Sequence, residues 1–176
     1  MSVSIISTGD GSHSLYDQRR DETFHSVHGA IRESKHVFIQ NGLASLFKNS
    51  DAEISILEVG FGTGLNALLT LQWTRDNSRK VSYTTIEPFP IAENLWSKLN
   101  YPALLNDDGH YRSLHFSEWG IAIPLTDNFN LLKIKTTVED ATFMEGSFDM
   151  VYYDAFAPSK QPEVWEIQTL KKVVDT

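Results

Sequence analysis

The spacing of apolar positions from residue 53 onward switches between that of strands and that of helices. Residues 53–59, Glu-Ile-Ser-Ile-Leu-Glu-Val, form a short β-branched run that stops at Gly60, which predicts a buried strand. Leu65, Leu68, Leu69 and Trp73 then recur at helical intervals up to the polar breaker Arg75-Asp-Asn-Ser78, predicting a helix packed on that strand. A second strand is expected over 80–86, ended by Pro88 and Pro90, which start a helix near Ile91. Residues 131–135 and 148–153 read as third and fourth strands, and Val164, Ile167, Leu170 and Val174 fall on one face of a final helix. Strands separated by helices imply an α/β fold with a doubly wound, mostly parallel, Rossmann-like sheet.

Two stretches lie outside this alternation. Residues 100–130 are polar and aromatic with a weak pattern, and read as an insertion or cap. Before Glu53, helical spacing around Val27, Ala30, Ile31, Ser34 and Phe38 follows a start rich in Gly, Ser, His and Asp that reads as loop. The expected organisation is one domain over 1–176: a cover segment at 1–52 over one end of the sheet, then a core at 53–176. Sheets of this kind usually have more than four strands, so further chain is expected beyond the last helix.

Composition narrows the class. At roughly 150 residues per domain, 176 residues make one domain, and 41% hydrophobic residues can fill its core. Fifteen Lys and Arg against 23 Asp and Glu give a net charge of −8, which disfavours non-specific binding to phosphate backbones. The absence of cysteine removes disulfides, thiolate zinc sites and cysteine nucleophiles. With no signal-like start and no apolar run of the roughly 18 residues that a membrane span needs, a cytoplasmic protein without membrane association is expected.

The most informative stretch is Glu58-Val-Gly60-Phe61-Gly62-Thr63-Gly64-Leu-Asn66, where a strand becomes a helix. Alternate glycines let the backbone approach a ligand while the helix points its first N–H groups at the same place, as nucleotide-like cofactors require. The spacing also satisfies the dinucleotide pattern, through Gly62, Gly64 and Ala67 with Glu87 downstream, and would equally serve a plain tight turn. A carboxylate at Glu58 would repel a pyrophosphate and attract the cationic groups of S-adenosylmethionine, which favours the latter cofactor. Acids follow three strands: Glu87, suited to ribose hydroxyls; Asp140, suited to an adenine amino group or to a turn; and Asp154 in Tyr152-Tyr-Asp-Ala-Phe156-Ala-Pro158. Asp154 with Phe156 can hold an acceptor amine beside a flat base, and Lys160 can contact a phosphate or stay solvated. His25 and His28 form an H-x-x-H pair that lacks a third ligand, so substrate contact or active-site cover is expected there and no metal.

Taken together, Gly60-Phe-Gly-Thr-Gly-Leu-Asn66, Ile86-Glu-Pro-Phe-Pro90 and Asp154-Ala-Phe-Ala-Pro-Ser-Lys-Gln-Pro162 are more specific than any one of them. They resemble the methyltransferase half of the bifunctional bacterial proteins that make 5-methylaminomethyl-2-thiouridine at the tRNA wobble position. The N-terminal Thr8-Gly-Asp-Gly-Ser-His-Ser-Leu-Tyr16, His25-Ser-Val-His-Gly-Ala30 and Glu33-Ser-Lys-His-Val-Phe38 are similar to the stand-alone branch. The resemblance implies a class I S-adenosylmethionine-dependent methyltransferase that methylates the exocyclic amine of 5-aminomethyl-2-thiouridine in tRNA. By motif, Glu58, Gly60, Gly62, Gly64, Glu87 and Asp140 would line the cofactor, and Asp154 with Phe156 would face the acceptor. It also implies a basic segment beyond residue 176, and a separate flavin-dependent oxidoreductase acting upstream. Asp154 would orient the amine as a carboxylate of ordinary pKa. The residues themselves leave other readings open: a methyltransferase for a small cationic amine, an NAD-dependent oxidoreductase and a non-catalytic binding module.

Overall fold

The computed structural model describes residues 3–47, 52–107 and 109–176. Residues 1–2 and 48–51 of the expected cover, and Asp108 of the expected insertion, lie outside the described residues. The start of the cover, read as loop, forms strands instead: β1 (Val3–Ser7), β2 (His13–Asp17) and β3 (Glu22–Thr23) pair antiparallel in a small sheet. The Gly, Ser and Asp residues that suggested loop make its first turn. Asp10 Oδ1 accepts from Thr8 Oγ1 at 2.9 Å and from the Ser12 amide at 3.0 Å, while its Oδ2 takes the Arg32 amide at 2.9 Å. The same turn therefore satisfies a first-turn N–H of α1 (Ala30–Ser34). α1 runs into π-helical turns over Lys35–Leu43 and ends in α2 (Ala44–Leu46).

The core follows the predicted alternation as β4 (Ile54–Val59), α3 (Leu65–Asn77), β5 (Val81–Ile86) and α4 (Glu93–Trp96). The predicted insertion supplies α5 (Tyr101–Leu104), α6 (His110–Phe116) and β6 (Ala122–Thr126), and the chain continues through β7 (Phe129–Ile134), β8 (Met150–Tyr153), a 3₁₀ turn at Pro162–Trp165 and α7 (Ile167–Val174). The five-stranded sheet has the order β6-β7-β5-β4-β8, parallel except for β6. The four predicted strands thus lie in the order third, second, first, fourth, the arrangement whose ligands bind beyond the carboxyl ends of the central strands.

Both sheet faces are covered. Ile54, Ile56, Tyr83, Phe129 and Tyr152 pack against Leu65, Leu68 and Leu69 of α3, and the cover adds Leu15, Ala30, Ile39 and Leu43 on the same side. Leu57, Val59 and Ile86 face the other way, onto Val138, Ala141, Val164 and Val173. Because the cover sits on α3 as well as beside the strand ends, α3 is enclosed nearly all round, burying Asn66, Thr70 and Thr74 with its leucines. The expected apolar face of the last helix is not the packed one. Val164 lies on the preceding 3₁₀ turn, Ile167 and Val174 are exposed, and Thr169 and Val173 are the buried positions of α7.

Candidate functional site

A cavity of about 930 Å³ opens where β4, β5 and β8 end, between the core and the cover. Its walls come from the stretch 16–27 of the cover, the glycine turn, the turn after β5, the stretch 136–139 and the loop after β8. Seven of its lining residues are acidic and one, Arg20, is a strong base, so the space is electronegative.

The glycine turn starts at Gly60, whose amide donates to the Ile86 carbonyl at 2.9 Å, so the chain leaves β4 still attached to β5. Gly60 has φ +94°, and a Cβ there would lie 2.9 Å from the Asp154 carbonyl oxygen. Only glycine permits both that backbone angle and that approach. Gly64, at φ +74°, caps α3 in the left-handed conformation, and a Cβ on it would meet His115 Nε2 at 3.0 Å. Thr63 between them is buried and held from three sides. It shares a 2.7 Å side-chain hydrogen bond with His25 Nε2, and its carbonyl accepts from Tyr111 Oη at 2.8 Å and His115 Nε2 at 3.2 Å. Burial pushes the His25 imidazole down to about 4 and that of His115 down to about 3, so both rings are neutral at pH 7.

Of the expected cofactor residues, Gly60, Phe61, Gly62, Thr63, Asn66 and Glu87 line the cavity. Glu87 takes the Gly62 amide on Oε2 at 3.1 Å and the Phe89 amide on Oε1 at 2.8 Å, so it ties the glycine turn to the end of β5. Burial raises its pKa, against the two amides that favour its charge. Glu58, Gly64 and Asp140 do not line the cavity. Glu58 is fully buried beneath the turn, so the electrostatic preference argued from it passes to the acids of the wall. Asp140 is exposed; its Oδ2 accepts from Thr137 Oγ1 at 3.1 Å, and the same Oγ1 accepts from the Asp140 amide at 3.2 Å.

On the acceptor side, Asp154 and Phe156 line the cavity. Asp154 Oδ2 accepts from Asn66 Nδ2 at 2.7 Å. Burial raises its pKa to about 6, against the Asn66 bond that lowers it, so it is not the carboxylate of ordinary pKa expected from sequence. Phe156 meets Phe24 of the cover edge-on at 5.0 Å and carries the Arg20 guanidinium over its ring at 5.1 Å. Lys160 points instead at Asp21, 3.9 Å away, and His28 is exposed and outside the cavity while His25 is in its wall. The two histidines of the H-x-x-H pair thus do not converge. Among the described residues no group of three metal-ligating side chains comes together, and no helix is long and apolar enough to cross a membrane.

Sequence reasoning missed Phe24 as a wall residue and His115 as a support of the turn. Phe24 lies in a strand-end segment without periodicity. His115 stands in the irregular stretch, where its ring stacks on Trp96 at 4.3 Å. Lys133 is a further surprise: a buried lysine that donates to the Leu114 and His115 carbonyls at 2.8 Å each, closing the last turn of α6, with Trp119 4.7 Å from its ammonium.

Comparison with known proteins agrees with this geometry. Residues 117–176 match a family described as S-adenosyl-L-methionine-dependent methyltransferase. The chain is 34% identical over 167 residues to the tRNA 5-methylaminomethyl-2-thiouridine biosynthesis bifunctional protein MnmC of Leptospira borgpetersenii serovar Hardjo-bovis (strain JB197), covering 86% of this chain and 25% of that protein. It is 29% identical over 172 residues to the MnmC of Cupriavidus metallidurans, covering 91% of this chain and 25% of that one. The crystal structure of MNMC2 from Aquifex aeolicus superposes with a TM-score of 0.76 at 25% identity, over 98% of this chain and 56% of that one. The chain therefore spans a quarter of the length of these curated relatives.

Proposed function

We propose that this chain is an S-adenosyl-L-methionine-dependent methyltransferase, of the family that its residues 117–176 match, and that it methylates the exocyclic amine of 5-aminomethyl-2-thiouridine at the tRNA wobble position. The observation that carries the reading is Asp154: a buried carboxylate in the cavity wall, fixed by Asn66 and adjoining a glycine turn suited to a nucleoside cofactor. The cavity fits that cofactor in size and in sign, since its acidic wall suits a sulfonium and an ammonium. When bound, S-adenosylmethionine supplies a methyl group on positively charged sulfur.

The protein's part is to hold and orient. Glu87 has lone pairs left for ribose hydroxyls beyond the two amides it accepts, and the turn from Gly60 to Gly64 leads into the N-terminus of α3. An alkylamine with pKa near ~10 is mostly protonated at pH 7, so a proton must leave before its nitrogen can attack. Asp154 would accept a hydrogen bond from that nitrogen, take or relay the proton that must leave first, and hold the freed lone pair toward the methyl group that a bound cofactor would supply, the methylated nitrogen then being a secondary ammonium and the cofactor's sulfur a neutral thioether. Phe24 and Phe156 give the flat base a surface to stack on.

The same acidic cavity favours a second reading, a small cationic amine as acceptor. Calorimetry with S-adenosylhomocysteine, with NAD as control, followed by methyl transfer to tRNA from cells lacking the modification and to polyamines, separates the readings. Label in tRNA alone supports the proposal, and label in polyamines alone replaces it with the second reading. Binding of NAD in place of S-adenosylhomocysteine overturns both. The proposal carries with it a cytoplasmic location and a separate upstream enzyme that generates the amine.

A further inference from the structure

We infer that Glu58 is held as a neutral carboxylic acid beneath the glycine turn, where it acts as a positioning residue for Asn66 and, through Asn66, for Asp154. The inference rests on the reading of Asp154 as the acceptor-side carboxylate. Thr85 of β5 and Tyr152 of β8 flank Glu58 in register, Tyr83 is the next residue of β5 on the same face, and Asn66 lies above in the first turn of α3. The Asn66 amide thus stands between two carboxyls, donating to Asp154 at 2.7 Å and lying close to Glu58.

Glu58 is wholly enclosed, and neither of its oxygens completes a hydrogen bond of good geometry. The same holds for its neighbours Asn66 Oδ1, Tyr83 Oη and Thr85 Oγ1, so the polar groups around it are poorly saturated as well. Among the described residues no lysine or arginine forms an ion pair with either carboxyl. The charge that acts on Glu58 is the like charge of Asp154, and the other titratable groups facing it, Tyr83 and Tyr152, are kept neutral by burial. An enclosed carboxylate with no cation and a second carboxylate one amide away is costly, and a shared site of this kind sheds one of its two charges. Asp154 opens to the cavity and has the short Asn66 bond, so the charge stays there and the proton sits on Glu58. Burial accordingly pushes the Glu58 carboxyl up to about 8, and the nearby Thr85, Tyr83 and Asn66 side chains, which favour its charge but complete no hydrogen bond of good geometry to it, do not offset that burial.

This assignment differs from that of an ionised cofactor ligand, and Glu58→Gln separates the two because it keeps shape and neutrality while removing any charge. If Glu58 is neutral, Glu58→Gln binds S-adenosylhomocysteine within about twofold of the unmodified chain, whereas loss of an ionic ligand would cost about tenfold or more. Infrared difference spectra at pH 7 should show a protonated carboxyl band that Glu58→Gln lacks. In methyl transfer, the alkaline fall in rate near pH 8 that arises from Glu58 ionising should vanish in Glu58→Gln. Glu58→Ala, which leaves Asn66 unsupported, should move the acid limb set by Asp154 upward and so lower the rate between about pH 6 and 7, and Glu58→Gln should restore most of it. A tenfold loss of affinity in a folded Glu58→Gln, no protonated band, or the same alkaline limb in both proteins would each overturn the inference. If the unmodified chain binds no S-adenosylhomocysteine, the proposed function fails, while the infrared band still decides the state of Glu58.

Discussion

Replacing Asn66 by Ala removes a single contact that matters to Asp154, the 2.7 Å hydrogen bond from its amide to Oδ2. Alanine keeps the helix propensity of α3 and leaves the Asn66 carbonyl, which accepts from Thr70 Oγ1 at 2.7 Å, in place. A hydrogen bond to a charged group contributes about 1.5 kcal/mol or somewhat more, and one pKa unit corresponds to about 1.4 kcal/mol. Without the bond, the Asp154 carboxyl should rise from about 6 toward about 7. The acid limb of kcat/KM should move up by about one unit, with about a fivefold loss at pH 6, about a twofold loss at pH 7 and almost none at pH 8.5. The assay is methyl transfer at saturating cofactor across that range, with S-adenosylhomocysteine affinity measured at each pH to separate binding from chemistry. An acid limb that stays where it was, or a loss of equal size at every pH, would refute the coupling between Asn66 and Asp154.

Other consequences are open to measurement. On the proposed function, Glu87→Ala should weaken S-adenosylhomocysteine binding by about 1 to 3 kcal/mol in calorimetry, since it removes the acceptor proposed for the ribose hydroxyls together with the tie to the Gly62 amide. Gly60→Ala should cost about 2 to 4 kcal/mol in urea unfolding, from the left-handed backbone and the contact with the Asp154 carbonyl, and an unchanged midpoint would contradict the geometry of the turn. Stability should fall by about 2 kcal/mol as pH rises from about 6.5 to 8. A carboxyl whose folded pKa is raised to about 8 favours the folded state when protonated and loses that contribution as pH climbs through the folded value. Below about 6.5 the histidines add the opposite slope, because His25 and His115 are buried neutral and their contribution is lost as pH falls toward 4 and 3. Denaturant titrations of Glu58→Gln should be flat over the upper window.

The strands and the glycine turn were legible because their physics is local. A β-branched run ended by glycine needs no partner to be recognised, and β4, β5, β7 and β8 fall within a few residues of where periodicity put them. The strands of the cover were hidden because Thr8, Asp10 and Ser12 act there as turn and cap residues for a helix twenty residues on, a contact that composition does not reveal. The orientation of Glu58 was hidden for a different reason. Its position two residues before Gly60 was plain, but only the register with Thr85 and Tyr152 shows that its side chain faces α3 and not the ligand space. Helix α7 misled because an apolar stripe was read as a buried face, while the sheet takes Val173 and leaves Ile167 and Val174 to solvent.

The cavity wall is stitched from distant parts of the chain, as the bonds from His25 to Thr63 and from Asn66 to Asp154 illustrate. A ligand that fills it touches cover and core at once, and so resists their separation. By mass action, such a ligand at a hundred times its Kd stabilises the assembled state by about 2.7 kcal/mol. Sites of proteolysis in the stretch 16–27 should then close on binding, so that the rate at which a protease nicks the cover becomes a gauge of cofactor occupancy that needs no acceptor and no turnover.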